Sequence, residues 1–460
     1  MAESKFSVEK TLTRLLDEKK YVSLRDILST MNPADIAAVF EELEDAKLPL
    51  LFRLLPKELA ADAFVEMEPD EQELLIRGFS DSELKEVVDE LYVDDAVDIV
   101  EEMPANVVSR ILMQADPEMR KQINEILRYP EDCAGSIMTT EYVSLQPKMT
   151  VDEAILRIRR TGIDKETIYT CYVTVDHILI GMVSVKDLLL CENDEATIES
   201  IMQDHVISVG TLDDQEQVAH MFSKYDFLAL PVVDTENRLV GIVTFDDAMD
   251  VMEDETTEDM EKMAAMLPSE HPYMKSSPFE IWKNRIPWLL LLMVSATLTG
   301  LVISRFENAL GVLPCLTAFI PMLMDSGGNS GSQACVTIIR GISLNEIEFQ
   351  DLFRVIWKEI RVSVLCGVCL AVACFGKVML VDHLLLRNEH VTTLVALVVS
   401  LSMAVTIFMA KMVGCSLPLL AKKLGFDPAV MASPLITTIV DFLSLLVYFS
   451  FAIAILHIAV

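Results

Sequence analysis

The residues best suited to bind a cation lie near the C-terminus, in a stretch whose apolar composition is typical of a membrane-spanning helix. Asp441 stands alone there, and moving a lone charge to the middle of a bilayer costs about 2.5–3.5 kcal/mol on insertion scales. Ser433, Thr437 and Asp441 recur every four residues, which places their oxygens on one face of a helix. Such a stripe suits a hard, oxygen-seeking cation. The alternative is an aspartate that pairs with a buried lysine or caps a helix.

A second polar stripe occurs earlier in the chain, where Asp325, Asn329 and Gln333 recur at the same spacing. Glycines interrupt this segment, and glycine-rich backbone at membrane depth is tolerated only where protein or water surrounds it. Small residues alone would favour tight helix packing, but the polar stripe favours the lining of a pore. Two stripes on two helices are too few to enclose a wet path. We therefore expect a homodimer, in which four such helices surround one axis.

The charge of the chain is distributed unevenly. Residues 1–280 carry a net charge of about −36, whereas residues 281–460 carry about +2. Nucleic acid is an unsuitable partner for so acidic a region, because affinity for phosphate needs basic residues. A cation is a suitable partner for this acidic region. Residues 1–20 lack the apolar core of a signal peptide, so we expect the N-terminus to stay in the cytosol.

Residues 1–130 repeat one short amphipathic helical unit, with prolines at or near the junctions where helices can start. Clear copies are 36–43, 59–67, 84–91 and 96–103. Repetition of a short helical unit predicts a superhelical array rather than one globular fold. We expect its acidic residues, including Asp94, Asp95 and Asp98, to lie on outward faces.

Residues 131–250 contain a longer unit twice. Ser136-Ile-Met138 opens one copy and Ser200-Ile-Met202 the other, and each copy ends in a strand that leads to an aspartate, at Ser184–Asp187 and Thr244–Asp247. This pattern resembles a tandem pair of CBS domains, which are α/β units. The cleft between copies in that family often holds an adenine nucleotide such as ATP, with the aspartate on the ribose hydroxyls. The resemblance assigns this role to Asp187 and Asp247, and a cleft without nucleotide is the alternative.

Residues 251–280 form a connecting segment that continues a helix from the second copy. Asp247, Asp250, Asp254, Glu258 and Glu261 share one face of this helix. Like charges at such spacing destabilise a helix by a few tenths of a kcal/mol per pair. Either a bound divalent cation or simple solvation compensates the repulsion.

Residues 281–460 contain five apolar stretches long enough to cross, or nearly cross, a lipid bilayer. They are 287–306, 313–339, 357–381, 391–420 and 431–458. Lysine and arginine concentrate before the first, between the second and third, and between the fourth and fifth, which predicts a cytosolic N-terminus and an external C-terminus. We expect residues 345–359 to form a separate amphipathic helix on the cytosolic surface.

Taken together, the chain resembles the MgtE family of magnesium channels over nearly its full length. The most specific motifs are Gly327–Gln333 and Pro434–Asp441. The resemblance implies a multidomain protein of the plasma (inner) membrane, with a helical N-terminal domain, tandem CBS domains, an acidic connecting (plug) helix and a five-helix transmembrane domain. It also implies a homodimer whose second and fifth membrane helices line the pore. The implied ligands of the transported Mg²⁺ are Asp441, Thr437, Ser433 and Asn329, and the implied lining adds Asp325, Gly328, Gln333 and Thr438.

The resemblance further implies that cytosolic Mg²⁺ closes the channel by bridging the N-terminal domain, the CBS pair and the connecting helix. When Mg²⁺ is low, the unscreened carboxylates repel and the assembly opens. The residues matched to this regulatory role are Asp94, Asp98, Asp214, Glu216, Asp226, Asp247, Asp250, Glu255, Glu258 and Asp259. Several weak sites acting together can shift a two-state gate by several kcal/mol.

The alternative function is a secondary transporter that couples a divalent cation to protons or Na⁺. Lys377 and Lys411 lie within the apolar stretches and could serve such coupling. Inverted repeats are typical of that class, and the five stretches show none. An enzyme is not expected, because the sequence contains no nucleophile–base pair, no metal-hydrolase spacing and no phosphate-binding loop.

Overall fold

A computed structural model describes residues 2–269, 273–431 and 433–458, without the side chains of residues 2–9, 308, 309 and 433. It divides into two compact units, Met1–Met252 and Glu253–Val460. The boundary falls within one helix, which starts in the first unit and ends in the second.

The first unit opens with the expected series of short helices, which is confirmed. They are α1 (Ala2–Asp17), α2 (Tyr21–Leu28), α3 (Pro33–Phe40), α4 (Leu48–Phe52), α5 (Lys57–Val65), α6 (Pro69–Gly78), α7 (Asp81–Val88), α8 (Val93–Glu102), α9 (Ala105–Gln114) and α10 (Pro117–Ile126). Proline occupies the first position of α3, α6 and α10, where its missing N–H is not needed. Helices this short depend on packing for their stability, and their apolar faces share one core.

Two α/β repeats follow. The first contains β1 (Val143–Leu145), α11 (Val151–Thr161), β2 (Thr170–Val175), β3 (Ile178–Ser184), α12 (Val185–Leu190) and α13 (Ile198–Ile201). The second contains β4 (Val209–Gly210), α14 (Gln215–Tyr225), β5 (Ala229–Val233), β6 (Leu239–Thr244) and α15 (Phe245–Met263). In each sheet the first strand pairs parallel to the second, and the second pairs antiparallel to the third.

The two repeats exchange their opening segments. A Cβ at Gly241 in the second repeat would lie 2.7 Å from the sulfur of Met138, which precedes the first repeat. A Cβ at Gly181 in the first repeat would lie 2.6 Å from the sulfur of Met202. Each glycine therefore leaves room for the methionine that introduces the other repeat, which explains why both the Ser-Ile-Met motif and the glycine occur twice.

The second unit holds the long apolar helices. It contains the end of α15, then α16 (Pro278–Arg305), α17 (Glu307–Val312), α18 (Ile320–Ser343), α19 (Leu352–Lys377), α20 (Thr393–Lys423) and α21 (Ser433–Leu456). A π-helical turn, Val378–Leu385, extends α19. Residues 345–359 do not form the separate surface helix expected from the sequence. An acid pair, Glu348 and Asp351, caps a short 3₁₀ turn, and α19 then runs without a break into the apolar stretch.

Among the described residues, four helical segments are long and apolar enough to cross a membrane. They are Pro278–Arg305, Phe349–Leu385, Thr393–Lys423 and Ala429–Leu456. The 24-residue α18 is long enough, at about 1.5 Å per residue, to span a bilayer. Because it contains glycines and polar residues, α18 is less apolar than these four segments. The expected number of five membrane spans therefore stays a prediction.

Small residues bring α18, α20 and α21 together. A Cβ at Gly327 of α18 would lie 2.6 Å from Thr406 of α20 and 2.9 Å from Val440 of α21. A Cβ at Gly414 of α20 would collide with the carbonyl oxygen of Gly331. The backbones of the three helices therefore approach closely, as is typical of membrane helix interfaces with small residues.

Candidate cation sites

The α18 and α21 polar stripes lie beside each other in the second unit. A Cβ at Gly328 of α18 would lie 2.9 Å from Cγ2 of Thr437 on α21, so the two helices touch at this level. Asp325 also acts electrostatically on Asp441, which is half-buried. The two carboxylates therefore belong to one region of the unit.

The α18 stripe faces away from the described helices that pack against α18. Asp325, Asn329 and Gln333 are all exposed, whereas Gly327 and Gly331 on the other side of the helix are buried. A polar, exposed stripe on a helix of an apolar unit suits contact with water or with a polar partner rather than with lipid.

The α21 stripe offers hydroxyl oxygens beside the carboxylate. The hydroxyls of Thr437 and Thr438 both donate to the carbonyl of Pro434, at 2.9 and 3.0 Å. Both hydroxyl groups donate their protons to this backbone carbonyl. The lone pairs of the hydroxyl oxygens therefore stay free to accept hydrogen bonds from the water molecules of a hydrated cation. Ser433 begins the helix, but its side chain lies outside the described part of the structure.

A second group of acids occupies the first unit, where α8 meets the two α/β repeats. The expected outward position of Asp94 is wrong, because its side chain is only 8 % exposed. One face of α8 is covered by the repeats, and Glu141 Oε2 accepts the first backbone N–H of this helix, from Val93, at 3.0 Å. Asp95 is half-buried, and Asp98 is exposed at the rim.

The negative charges of this group are poorly compensated by basic side chains. Burial, followed by the charge of Asp247, raises the pKa of Asp94 well above its ordinary value. The same two causes raise the pKa of Asp95 to about 7, and burial with the charge of Asp95 raises that of Glu166 to about 8. Burial also raises the pKa of Asp247 to about 6, although Thr244 donates a hydrogen bond to it. Within the described part of this unit, no lysine or arginine forms an ion pair with Asp94 or Asp247.

Three of these acids form the tightest set. One carboxylate oxygen each from Asp94, Glu141 and Glu166 lie within 4.8 Å of one another. Sequence reasoning missed both glutamates, because they lie on segments without a periodic pattern.

Among the described residues, the remaining regulatory candidates do not belong to the set of Asp94, Glu141 and Glu166. Asp214 caps the start of α14, where it accepts the N–H of Glu216 at 3.0 Å. Glu216 lies 3.5 Å from His220, and Asp226 ends the same helix with a left-handed backbone, φ 54°.

Asp250 follows Asp247 on α15 and adds to its electrostatic environment. In the second unit, Glu255 lies on the same helix, and Asp259 accepts a hydrogen bond from Ser343, the last residue of α18, at 3.2 Å.

Glu258 belongs to an ion-pair cluster in the second unit. Lys262 Nζ lies 2.6 Å from Glu258 Oε1 and 2.8 Å from Asp427 Oδ2. Burial lowers the pKa of Lys262, but the hydrogen bonds to Asp427 and Glu258 outweigh it and raise the pKa to about 12. The i, i+4 spacing of Glu258 and Lys262 is visible in the sequence, whereas nothing in the sequence links Asp427 to them.

The two aspartates matched to nucleotide binding have different surroundings. Ser184 donates its hydroxyl to Asp187 at 2.7 Å, and Thr244 donates its hydroxyl to Asp247 at 2.5 Å. Asp187 is exposed, but Asp247 lies among the acids of α8. Asp187 is therefore the better placed of the two for an anionic ligand.

Family models match three parts of the chain. Residues 320–451 match the MgtE divalent cation transporter model, residues 31–132 match the MgtE intracellular N domain, and residues 134–192 and 198–254 match the CBS domain. The magnesium transporter MgtE of Thermus thermophilus is 36% identical over 96% of this chain and 97% of its own length. That of Bacillus subtilis is 32% identical over 96% of each chain.

Two solved structures resemble the first part of the chain. The cytosolic domain of the Mg²⁺ channel MgtE in complex with ATP is 37% identical, with a TM-score of 0.51, covering 53% of this chain and 99% of that one. The soluble part of a magnesium transporter is 31% identical, with a TM-score of 0.51, covering 55% of this chain and 99% of that one.

Proposed function

The chain belongs to the MgtE family of divalent cation transporters, and from this premise we propose that it is a Mg²⁺-selective channel for magnesium uptake that cytosolic Mg²⁺ closes. The observation that carries the proposal is the contact of α18 with α21 at Gly328 and Thr437, beside the carboxylates of Asp325 and Asp441.

Asp441 is the proposed binding group for the transported ion. Mg²⁺ loses its water reluctantly and is usually held by one or two carboxylates while keeping several waters. Asp441 supplies the carboxylate, and Thr437 with Asn329 supplies oxygens for the bound water. Ser433, Thr438, Asp325 and Gln333 extend the same lining.

A homodimer completes the proposed pore. The stripe of Asp325, Asn329 and Gln333 is exposed in the single chain, and a second copy related by a two-fold axis would bring an identical stripe opposite it. Four helices would then enclose a path that two cannot. The exposure of the stripe supports this arrangement because polar side chains are costly in lipid.

In the proposed membrane topology, the chain crosses the plasma membrane five times, with its N-terminus in the cytosol and its C-terminus outside. The four strongly apolar helices and the 24-residue α18 support the count. The basic loops support the orientation, since lysine and arginine are enriched on the cytosolic side.

The acids of the cytosolic part are the proposed Mg²⁺ sensor. Within the described residues, no lysine or arginine forms an ion pair with Asp94, Asp98 or Asp247, so a divalent cation is the natural compensating charge. The end of α15 contacts the last residue of α18 through Asp259 with Ser343, and the loop before α21 through Lys262 with Asp427. Because Asp247 and these contacts belong to the same helix, a change at the acids would be transmitted along α15 to α18 and to the loop before α21.

ATP is the proposed ligand of the cleft between the α/β repeats. The ATP complex of the similar cytosolic domain supports this ligand class. Asp187 is the proposed ribose partner, because it is exposed while Asp247 lies among acids that would repel an anionic nucleotide.

Patch recording of the full chain with Mg²⁺ as charge carrier tests the proposal. We expect a current that falls as cytosolic-side Mg²⁺ rises and that disappears in Asp441→Asn. Glu307→Gln, which removes an exposed acid on α17, is the matched control and keeps the current. A native-sized current in Asp441→Asn would contradict the assignment of the pore site.

A coupled carrier of divalent cations is the second candidate function. It is favoured by one observation, the ion pair of Lys411 with Glu359 inside the apolar unit, at 3.8 Å. Lys377 also pairs with Asp382 at 2.9 Å. Uptake by a carrier would depend on a pH or Na⁺ gradient, whereas flux through a channel follows the electrochemical gradient of Mg²⁺ alone.

A further inference from the structure

The helical segment that contains α19 is longer than a bilayer is thick. Phe349–Leu385 contains 37 residues, or about 55 Å at about 1.5 Å per residue, whereas the hydrocarbon core of a bilayer is about 30 Å thick. The exposed side chains of residues 364–373 are uncharged and largely aliphatic, but those of residues 353–361 are all aromatic or basic. The first turns of α19 therefore suit the headgroup layer of a membrane rather than its core.

The exposed bases of these first turns share one face. Arg354, Lys358 and Arg361 recur at spacings of four and three residues, which a helix places side by side. Arg354 pairs with Asp351 at 3.0 Å, and Nε of Arg361 donates to the carbonyl of Trp357 at 3.3 Å. Among the residues that the structure describes, no acid forms an ion pair with Lys358 or Arg361.

The acid of the same turns does not compensate these bases. Glu359 is only 14% exposed, and its Oε2 lies 3.8 Å from Nζ of Lys411 on α20. The helix therefore directs its acid toward α20 and its bases toward the surroundings. Lys423, near the end of α20, adds a further positive charge at this level, because its ammonium lies 4.1 Å from the centre of the Phe349 ring. A surface with such an excess of positive charge attracts an anion.

The aromatic side chains beside the bases distinguish a lipid from a small soluble anion. Phe353 is 82% and Trp357 61% exposed, and tryptophan is enriched where a membrane meets water. Trp357, Arg361, Val364 and Val368 follow one another along one face of the helix. A soluble anion would contact only the base, whereas a phospholipid presents a phosphate to the base and acyl chains to the other three side chains.

We propose that Arg354, Lys358 and Arg361 bind the phosphate headgroup of an anionic phospholipid, whose acyl chains lie along Trp357 and the aliphatic face that starts at Val364. Guanidinium groups bind phosphate oxygens through paired hydrogen bonds, and anionic lipids are enriched in the cytosolic leaflet. A bound lipid anchors the first turns of α19 at the membrane surface. The assignment to the cytosolic leaflet rests on the proposed membrane topology, whereas the binding of the lipid does not.

Fluorescence quenching of Trp357 by brominated lipids tests the site. The chain contains three tryptophans, so Trp282→Phe and Trp288→Phe leave Trp357 as the reporter in the full chain. The protein is reconstituted into phosphatidylcholine vesicles in which either phosphatidylglycerol or phosphatidylcholine carries the bromines. We expect phosphatidylglycerol to bind beside Trp357 about fivefold more strongly than phosphatidylcholine, and this preference to weaken as the NaCl concentration rises.

Charge variants in the same background identify the binding groups. Lys358→Gln with Arg361→Gln is expected to abolish the preference for phosphatidylglycerol, whereas Lys358→Arg with Arg361→Lys keeps both charges and retains it. Arg305→Gln removes an exposed arginine from the end of α16 and is the matched control that retains the preference. Circular dichroism and gel filtration establish that each variant is folded before quenching is measured.

Equal quenching by the two brominated lipids in the reporter chain would overturn the proposal, as would an unchanged preference in the folded glutamine variant. Loss of the preference on adding excess inorganic phosphate at constant ionic strength would assign the bases to a free anion and also overturn the lipid site. Mg²⁺ current is recorded separately. A chain without current contradicts the channel, while a preference of the Trp357 site for phosphatidylglycerol supports the lipid site on its own.

Discussion

Lys262 Nζ lies 2.8 Å from Oδ2 of Asp427 and joins the last turn of α15 to the loop that precedes α21. Glu258 shares the same ammonium at 2.6 Å, and Asp427 also accepts the N–H of Ala429 at 2.7 Å. The lysine is therefore held by two carboxylates, one on each side of the contact. In the proposed gate, this contact ties the acidic helix to a pore-lining helix.

Breaking this contact is expected to favour the open channel. In Lys262→Met the two carboxylates lose their shared cation and repel, so α15 separates from the loop more easily. Half-exposed ion pairs contribute up to about 1 kcal/mol, which corresponds to about a fivefold rise in the Mg²⁺ concentration that half-closes the channel. Patch recording at graded cytosolic Mg²⁺ measures the shift. Lys148→Met removes an exposed lysine of the first unit and serves as the control.

Asp427→Asn tests whether the same contact is responsible. Both substitutions break the ion pair between Lys262 and Asp427. The double variant is therefore expected to shift the half-closing Mg²⁺ concentration no further than Lys262→Met alone. Additive shifts would show that Asp427 acts through something other than Lys262.

A methyl group at Gly328 is expected to impair the pore. The added Cβ would lie 2.9 Å from Thr437 Cγ2, and a β-branched side chain in a helix cannot turn away. α18 and α21 must separate, at a cost of about 1–3 kcal/mol. We expect Gly328→Ala to lower Mg²⁺ flux at least fivefold and to lower the unfolding temperature in detergent. Gly376→Ala on α19 is the matched control, since nothing lies within 4 Å of its Cβ position; a loss of flux there equal to that of Gly328→Ala would refute the steric explanation.

Helical periodicity allowed the two polar stripes to be predicted from sequence. Thr437 and Asp441, like Asp325 and Asn329, are four residues apart, and a helix places such residues on one face whatever surrounds it. The repeated Ser-Ile-Met and glycine signals likewise predicted two α/β repeats, because each methionine fills the space above a glycine of the other repeat.

Contacts between distant segments could not be predicted in this way. Glu141 and Glu166 lie on irregular segments, and only the fold brings them to Asp94. Asp427 meets Lys262 for the same reason. Asp94 was expected on a solvated face, because an acidic residue on an amphipathic helix usually points to water. The α/β repeats cover that face here, which no pattern within α8 indicates.

The stability of the metal-free first unit is expected to fall as pH rises. The pKa values of Asp95 and Glu166, about 7 and 8, lie above their ordinary values of 3.8 and 4.5. The folded state therefore binds more protons than the unfolded state between about pH 4 and pH 8, so stability is lost as pH rises through that window. Thermal unfolding of the full chain in chelator, from about pH 5 to pH 8.5, measures the effect.

Added Mg²⁺ is expected to reverse this loss, since a divalent cation replaces the protons that the acids release. The rise in unfolding temperature on adding Mg²⁺ should be larger at pH 8 than at pH 5.5. Asp152→Asn, an exposed acid at the start of α11, should leave both trends unchanged. A metal-free chain that becomes more stable toward pH 8 would contradict the burial of these carboxyls.

The last prediction concerns the ion pair of Lys411 on α20 with Glu359 on α19. Their side chains are only 6% and 14% exposed, and the charged atoms are 3.8 Å apart. The carbonyl of Ala410, next to Lys411, would lie 3.2 Å from a Cβ at Gly331 of α18. Lys411 therefore follows a residue whose backbone contacts the glycine-rich part of α18.

Removing one partner of this pair is expected to be more harmful than removing both. Glu359→Gln leaves a buried ammonium unpaired, and Lys411→Met leaves a buried carboxylate, each at a cost of about 3–5 kcal/mol in stability. The double variant buries no charge, so we expect it to recover most of the unfolding temperature and of the Mg²⁺ flux. The same double variant distinguishes the two candidate functions. A channel needs the pair only to hold α19 against α20, so its flux should return in the double variant without any dependence on the pH gradient. A carrier that moves protons through Lys411 and Glu359 would fold normally in the double variant and yet lose its proton-coupled uptake, and that result would replace the channel with the carrier.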